Sequence, residues 1–376
     1  MSRLTSGFRT SLIQLVIFLG LLLLLERALQ LWLPFEESQL KEHTFSQNIE
    51  GLKPQITYRI GRYGARSLQR IAQEKAEGQI RILCLGASTT EQVTQETKDT
   101  WCGILEIELK KKFPKYADRL QTIAFGTGGH RAADSAFWLR EHIELIKPDV
   151  VITLLGINDL IWNGGKNYHY QNIETEFAKR AKSKQSNIQR ICKEYSQICR
   201  RLINLKQFID MQLALRNNKI IEWHSSNLPR LREQLRNYPE SETINRTPDP
   251  FHEFQDVSNW LADYLSHRNV KLIMLGQPVA WQAQMPQNIT DQLWFPVSTS
   301  DGPVRATGAW LQRAITQYNT AQKQIALRNG AYYQDLDALI PKTRDFYFDD
   351  CHFTDQGSRK VAMSVMPVLT EVLEIF

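Results

Sequence analysis

Ser88 stands in the run Gly86-Ala87-Ser88-Thr89-Thr90, Gly129 ends Gly126-Thr127-Gly128-Gly129, and Asn158 sits in Gly156-Ile157-Asn158-Asp159. Far downstream, His352 follows Asp349 by three residues in Asp349-Asp350-Cys351-His352. These are the residue types that acyl transfer needs. A serine hydroxyl attacks a carbonyl once a base removes its proton, and the oxyanion that forms needs fixed hydrogen-bond donors. His352 can be the base, with Asp349 accepting from its other ring nitrogen. The backbone N–H groups of Ser88 and Gly129 and the side-chain amide of Asn158 can be the donors. Asp350 is the adjacent competitor for the role of Asp349.

Each patch also has an ordinary reading. Ser88 could cap a helix, the glycines could form a plain turn, and Asn158 could make an Asx turn. Asp159 reads as a helix cap or a loop hydrogen-bond partner rather than a catalytic acid. Gly126-Thr127-Gly128 is not a dinucleotide fingerprint, because His130-Arg131 follow where a third glycine is needed. What joins the four patches is their order and their position relative to the elements around them.

Apolar, β-branched runs at Ile80–Leu85, Leu120–Phe125 and Val150–Leu155 read as strands, with a fourth at Val270–Gly276 and a short fifth at Ala331–Leu336. Helical spacing lies between and after them, over Trp101–Phe113, Ala132–Ile146, Val257–Ser266, Trp310–Arg328 and Ser358–Ile375. Alternating strands and helices imply parallel pairing with right-handed crossovers. In an open parallel sheet, ligands bind outside the carboxyl ends of the strands. The first three patches follow the first three strands, and the fourth precedes the last helix. From 162 to 256 the strand signal stops. This charged, helical stretch, broken by Pro229, Pro239, Pro248 and Pro250, reads as a helical insertion over the sheet. No internal repeat is present.

With its blocks in this order, the chain resembles the SGNH, or GDSL-type, hydrolases, named for a serine, a glycine, an asparagine and a histidine in four separated blocks. Ser88 matches the nucleophile, Gly129 the second-block glycine, Asn158 the asparagine of Gly-x-Asn-Asp, and Asp349 with His352 the Asp-x-x-His of the last block. Gly357, five residues after the histidine, follows the same pattern. The resemblance covers roughly 81–161 and 270–376 and departs at two positions. Ala87 replaces the aspartate of the Gly-Asp-Ser signature, and Ala124 stands where the second block often has an asparagine. The resemblance implies a flavodoxin-like three-layer α/β/α sandwich with a parallel sheet of about five strands. It also implies ester hydrolysis with no cofactor and no metal.

The amino terminus bears on location. Residues 12–25 are almost wholly apolar, and counted from Phe8 to Leu25 about 18 residues rise roughly 27 Å as a helix, nearly a bilayer core once Arg9 snorkels to one interface. Arg3 and Arg9 precede the run, Glu26 and Arg27 follow it, and no pair of small residues offers a signal-peptide cleavage site. The expected organisation is a cytoplasmic tip and transmembrane anchor over 1–33, a juxtamembrane stalk over 34–78, and an extracytoplasmic hydrolase domain over 79–376. A net charge of +6 without a basic, aromatic-rich stripe argues against nucleic acid as a partner. The five cysteines form no CxxC pair and, being odd and sparse, do not read as a disulfide framework. Cys192 and Cys199, two helical turns apart, are roughly 10 Å from each other, too far to bridge. The expected activity is a serine esterase acting on acyl esters, acetyl esters above all, with an O-acetylated cell-surface glycan as substrate. The alternatives are an O-acyltransferase to a sugar hydroxyl, and a non-catalytic carbohydrate-binding or assembly protein on the same scaffold.

Overall fold

The structure is a computed structural model. It describes residues 14, 17–18, 20–28, 41–72, 74–161, 173, 175–177, 179, 227–246 and 249–374. The chain divides into two units, one of residues 1–37 and 174–218, the other of 38–173 and 219–376. In the first unit residues 20–28 are helical, and Leu21, Leu23, Leu24 and Leu25 are exposed. The expected anchor falls largely outside the described residues. Among the described residues, no helix is long and apolar enough to cross a membrane. Residues 162–172 and 180–226 of the expected insertion, with Cys192 and Cys199, also lie outside them.

The second unit is built on a five-stranded sheet. In chain order its elements are β1 (Lys41–Ser46), β2 (Gln55–Ile60), β3 (Ile80–Gly86), α1 (Ser88–Glu91), α2 (Trp101–Lys112), β4 (Leu120–Gly126), α3 (Ala132–Ile146), β5 (Val150–Leu154) and α4 (Ile157–Ile161). There follow α5 (Leu228–Asn237), β6 (Glu240–Ser241), α6 (Pro250–Ser266), β7 (Lys271–Gly276), α7 (Gln287–Thr290), β8 (Val297–Thr299), β9 (Gly302–Ala306), α8 (Gly308–Arg328), β10 (Tyr332–Asp335), α9 (Leu336–Leu339) and α10 (Asp355–Leu373). The sheet runs β10-β7-β5-β3-β4, every pairing parallel. Counted along the chain this is the order 2-1-3-4-5 of a doubly wound fold, which reverses direction between β3 and β5. The three inner strands carry no charged side chain between Ile82 and Leu85, Val150 and Leu154, or Leu272 and Leu275, as strands covered on both faces require. Helices α2 and α10 pack together on one face, and α3, α6 and α8 cover the other.

The five strands and five long helices expected from periodicity are all present, with ends moved by a few residues. The largest shift is at α6, which starts at Pro250 rather than Val257. Asp249 caps it by accepting from Phe251 N at 3.1 Å, and Pro250 occupies the first helical position, where its missing N–H costs nothing. The prolines that read as breakers therefore include a helix starter. The segment expected as a stalk carries the antiparallel β1–β2 hairpin, and Ile56, Ala65, Arg66 and Ile71 within it are buried. A small sheet, β6-β9-β8, has no counterpart in the sequence reading.

The cysteine reading needs correction. Cys84 on β3 and Cys102 on α2 form a disulfide, their Cα atoms 6.6 Å apart, and Cys351 is free and buried. The pair escapes a spacing rule because its partners lie on different elements and meet only when α2 packs on the sheet.

Candidate active site

β3 ends at Gly86, and Ser88 opens the single turn of α1 with Ala87 as its N-cap. β4 comes very close to this turn. A Cβ on Gly126 would lie 2.4 Å from both Ala87 O and Glu91 N, so only glycine lets the strand end pass the nucleophile turn. Ser88 does not cap the helix through its side chain. Its hydroxyl instead lies 2.8 Å from His352 Nε2 and can donate to it.

His352 precedes α10, whose N-cap Thr354 accepts from Gly357 N at 3.0 Å. Gly357 is needed there because a Cβ would stand 2.1 Å from Phe346 O. His352 Nδ1–H donates to Asp349 Oδ2 at 2.7 Å. Asp349 Oδ1 accepts from the backbone N–H of His352 at 2.8 Å and of Cys351 at 3.0 Å, and the Trp294 indole N–H donates to Oδ2 at 2.9 Å. Burial by itself raises the Asp349 carboxyl. The His352 charge and these N–H donors outweigh it and hold the group well below the usual carboxylate range. Burial by itself lowers the His352 imidazole, but the Asp349 carboxylate overrides it and the ring titrates above its ordinary value. Phe348 stacks on the ring at 5.7 Å between centroids, and Phe295 meets it edge-on at 6.0 Å.

Asp350 points to other partners. It accepts from Trp281 Nε1 at 2.9 Å and from the backbone N–H of Trp294 at 2.8 Å and Phe295 at 3.3 Å. Burial, then the neighbouring Asp349 charge, push its pKa up. Asp349 is thus the carboxylate hydrogen-bonded to the imidazole, and Asp350 anchors the Trp281 and Trp294 segments.

The expected oxyanion donors follow the ends of three adjacent parallel strands, β4, β3 and β5. Gly129 has φ +78°, a left-handed conformation, and faces open space where a Cβ would sit. Among the described residues, the N–H groups of Ser88 and Gly129 have no hydrogen-bond partner. Asn158, buried on α4, donates one amide hydrogen to His130 O at 2.8 Å, which ties α4 to the Gly126–His130 loop. Its second amide hydrogen is left for a ligand. Asp159 caps α3, both oxygens accepting from Ala132 N at 3.1 Å, and burial raises its pKa to about 7 against that bond. A cavity of about 10 Å³ lies beside Ser88 and His352, walled by Val93, Thr94, Phe348 and Phe353.

Ligand atoms of Asp349, Cys351 and His352 all lie within 4.8 Å of one another. The donor set fits a cation poorly. Both ring nitrogens of His352 are committed to Asp349 and Ser88, and burial raises the Cys351 thiol well above its ordinary pKa, away from the thiolate a metal needs.

Four residues near this centre were not singled out in the sequence. Trp294 bonds to Asp349 across 55 positions. Arg66, with Tyr58 beneath its guanidinium at 4.7 Å, donates to the carbonyls of Gln92 at 2.7 Å and Gln95 at 2.6 Å. Glu91, on the turn opened by Ser88, accepts from Gly128 N at 2.7 Å. Only Glu91 had a local signal, a carboxylate three residues after the serine on the same turn.

A doubly wound sheet with a serine and a histidine facing each other beside its switch point is the frame of an α/β acyl hydrolase. The profile of the GDSL-like Lipase/Acylhydrolase family matches residues 84–293, more than half of the chain, and the chain belongs to that family. It is a hydrolase of this type. No curated protein matches it. Among solved structures it is similar to an acetyl xylan esterase, AlAXEase, at 15% identity and TM-score 0.40, covering 77% of this chain and 100% of that one. It is similar to Axe2, an acetylxylan esterase from Geobacillus stearothermophilus, at 13% identity and TM-score 0.41, covering 78% and 95%. It is also similar to the psychrotrophic esterase EstA from Pseudoalteromonas sp. at 12% identity and TM-score 0.40, covering 78% and 98%.

Proposed function

We propose that the chain is a serine esterase that removes small acyl groups, acetyl above all, from hydroxyls of extracytoplasmic glycans. The observation that carries this reading is the chain of contacts from Ser88 Oγ to His352 Nε2 at 2.8 Å and from His352 Nδ1 to Asp349 Oδ2 at 2.7 Å. Ser88 Oγ attacks the ester carbonyl as His352 takes its proton, and Asp349 holds the ring in the tautomer that leaves Nε2 free. The Ser88 and Gly129 N–H groups and the Asn158 amide stabilise the oxyanion. His352 returns the proton to the departing alcohol, leaving an acyl-Ser88. Water, deprotonated by the same imidazole, then releases the acid.

The preference for acetyl is supported by the cavity beside Ser88. At about 10 Å³ it has room for a group of the size of one water molecule or one methyl. The glycan reading is supported by a cleft of about 740 Å³ behind α4, where Trp310, Arg246, Arg313 and Gln317 offer an indole and hydrogen-bonding groups of the kind a saccharide uses. The extracytoplasmic location is supported by the Cys84–Cys102 disulfide, since such bonds persist in oxidising compartments. Membrane anchoring through the apolar residues before 28 belongs to the same reading.

The test is hydrolysis of p-nitrophenyl acetate and of acetylated oligosaccharides by wild type and Ser88→Ala, with a serine-reactive phosphonate as a label. Wild type should turn over and take up one phosphonate, and Ser88→Ala should do neither. Hydrolysis that survives the substitution refutes Ser88 as nucleophile. Acetyl transfer to an added sugar in preference to water would replace the hydrolase reading with an acyltransferase.

A further inference from the structure

Glu91 ties two strand ends together. It ends the one-turn helix that Ser88 begins, yet its side chain reaches the neighbouring strand end. Oε2 accepts from Gly128 N at 2.7 Å, one residue before the candidate oxyanion donor Gly129. Oε1 lies 3.5 Å from the Tyr58 hydroxyl on β2. The Arg66 guanidinium sits over the Tyr58 ring and donates to the backbone carbonyls of Glu91 and Gln92, so it clamps the main chain of this turn. Arg66 also pairs through its own backbone with Ala124 on β4. One cluster around the buried Arg66 thus joins the nucleophile turn, β4 and the Gly126–His130 loop.

The Gly129 conformation explains why such a tie matters. At φ +78° with nothing packed where a Cβ would be, that residue has no side chain to fix its peptide plane. Its neighbours must do so. On one side His130 O is held by the Asn158 amide, and on the other Gly128 N is held by Glu91.

We propose that Glu91 is a positioning residue of this site: by anchoring Gly128 N–H it aims the Gly129 N–H at the reacting carbonyl oxygen. The proposal rests on the Ser88 esterase reading for the meaning of that aim, though the anchor itself does not. The titratable and charged groups facing the carboxylate are Tyr58 from β2, Arg66 from the segment after it, and His352 from the loop before α10. Burial raises Glu91 to about 7, opposed by the Gly128 N–H, Arg66, Tyr58 and His352, so it changes charge within the working range of an esterase.

The experiment compares full-length wild type, Glu91→Gln and Glu91→Ala. A glutamine oxygen can still accept from Gly128 N–H but carries no charge, whereas alanine removes both. On p-nitrophenyl acetate, Glu91→Ala should lower kcat by about 10²-fold with KM nearly unchanged, because a mis-aimed donor is missed in the transition state rather than in binding. Glu91→Gln should keep most of kcat, because the glutamine oxygen still accepts from Gly128 N–H. Independently of turnover, the Gly128 amide resonance of ¹⁵N-glycine-labelled protein should move in Glu91→Ala, where its acceptor is gone, and stay nearer its wild-type position in Glu91→Gln. A Gly128 resonance unmoved by Glu91→Ala, or an unimpaired Glu91→Ala, would each overturn the proposal. Failure of the esterase reading itself would show separately, as hydrolysis that persists in Ser88→Ala.

Discussion

The Trp294 indole N–H donates to Asp349 Oδ2, the same oxygen that receives His352 Nδ1–H, at 2.9 and 2.7 Å. Two donors converging on one oxygen, with two backbone N–H groups on the other, leave Asp349 no rotational freedom. The imidazole that it orients is fixed in turn. Trp294 also packs against the small cluster of Ile49, Leu228 and Phe348.

Trp294→Phe therefore tests orientation without emptying the site. Phenylalanine keeps an aromatic ring against the cluster but has no N–H. Losing one hydrogen bond to a charged group costs about 1.5–3 kcal/mol, which here falls mostly on the transition state, where the imidazolium needs an ionised, well-aimed Asp349. The expected outcome is a kcat lower by at least about tenfold, with KM little changed and a similar melting temperature. Steady-state kinetics beside a thermal melt separate this from simple destabilisation.

The pH dependence follows from the opposed shifts of the pair. Catalysis needs a neutral His352, and the Asp349 carboxylate raises the imidazole above its ordinary value despite burial. The acid limb of kcat/KM should therefore lie above about 6.5, the pKa of a free imidazole. In Asp349→Asn the carboxylate is gone and burial is left as the largest influence, so the limb should move to lower pH. At the same time kcat should fall by roughly 10³–10⁴-fold, because the amide can stabilise the wrong tautomer. A pH–rate profile of both proteins on one chromogenic ester reads the direction and the size together.

Much of this centre was legible before any coordinates, and the reason is local. Ser88, Gly129 and Asn158 each follow an apolar run whose strand character is plain, and Asp349 and His352 are three residues apart. Periodicity located the strands, and a parallel sheet brings their carboxyl ends to one edge. The supporting residues were not legible because their meaning depends on contacts made across the fold. Trp294 meets Asp349 across 55 positions, and Tyr58 meets Glu91 across 33. Nothing in the neighbourhood of Trp294 distinguishes it from Trp281, which is wholly buried and donates to Asp350 instead. The β1–β2 hairpin was obscured for a different reason: its strands mix polar and apolar residues without the unbroken runs of the buried sheet.

The Cys84–Cys102 disulfide should matter for stability more than for chemistry. It joins β3 to α2 over a separation of 18 residues and closes the loop that carries the Ser88 turn. Closing a loop of that size removes unfolded-state entropy worth about 3 kcal/mol. The double variant Cys84→Ala, Cys102→Ala should unfold at lower urea by about that amount, while its kcat under folding conditions stays close to wild type. Both side chains are buried, so a reductant should have little effect on the native protein and a large one on refolding. Equilibrium unfolding with and without dithiothreitol checks both halves.

The cavity beside Ser88 sets the most direct test of acyl preference. Its volume of about 10 Å³, room for about one water-sized group, favours a methyl over a propyl chain. Forcing extra methylenes into a packed wall costs about 1–3 kcal/mol, so kcat/KM should drop roughly 10–100-fold from acetyl to butyryl ester. Val93 is the wall residue best suited to relief, because Phe348 stacks on the imidazole and cannot be trimmed without disturbing the base. Val93→Ala should raise butyryl turnover relative to acetyl by several-fold while leaving acetyl hydrolysis near wild type. A matched series of p-nitrophenyl acetate, propionate and butyrate measures the ratio. If chain length makes no difference in wild type, the acyl group binds elsewhere and the cavity is not its pocket.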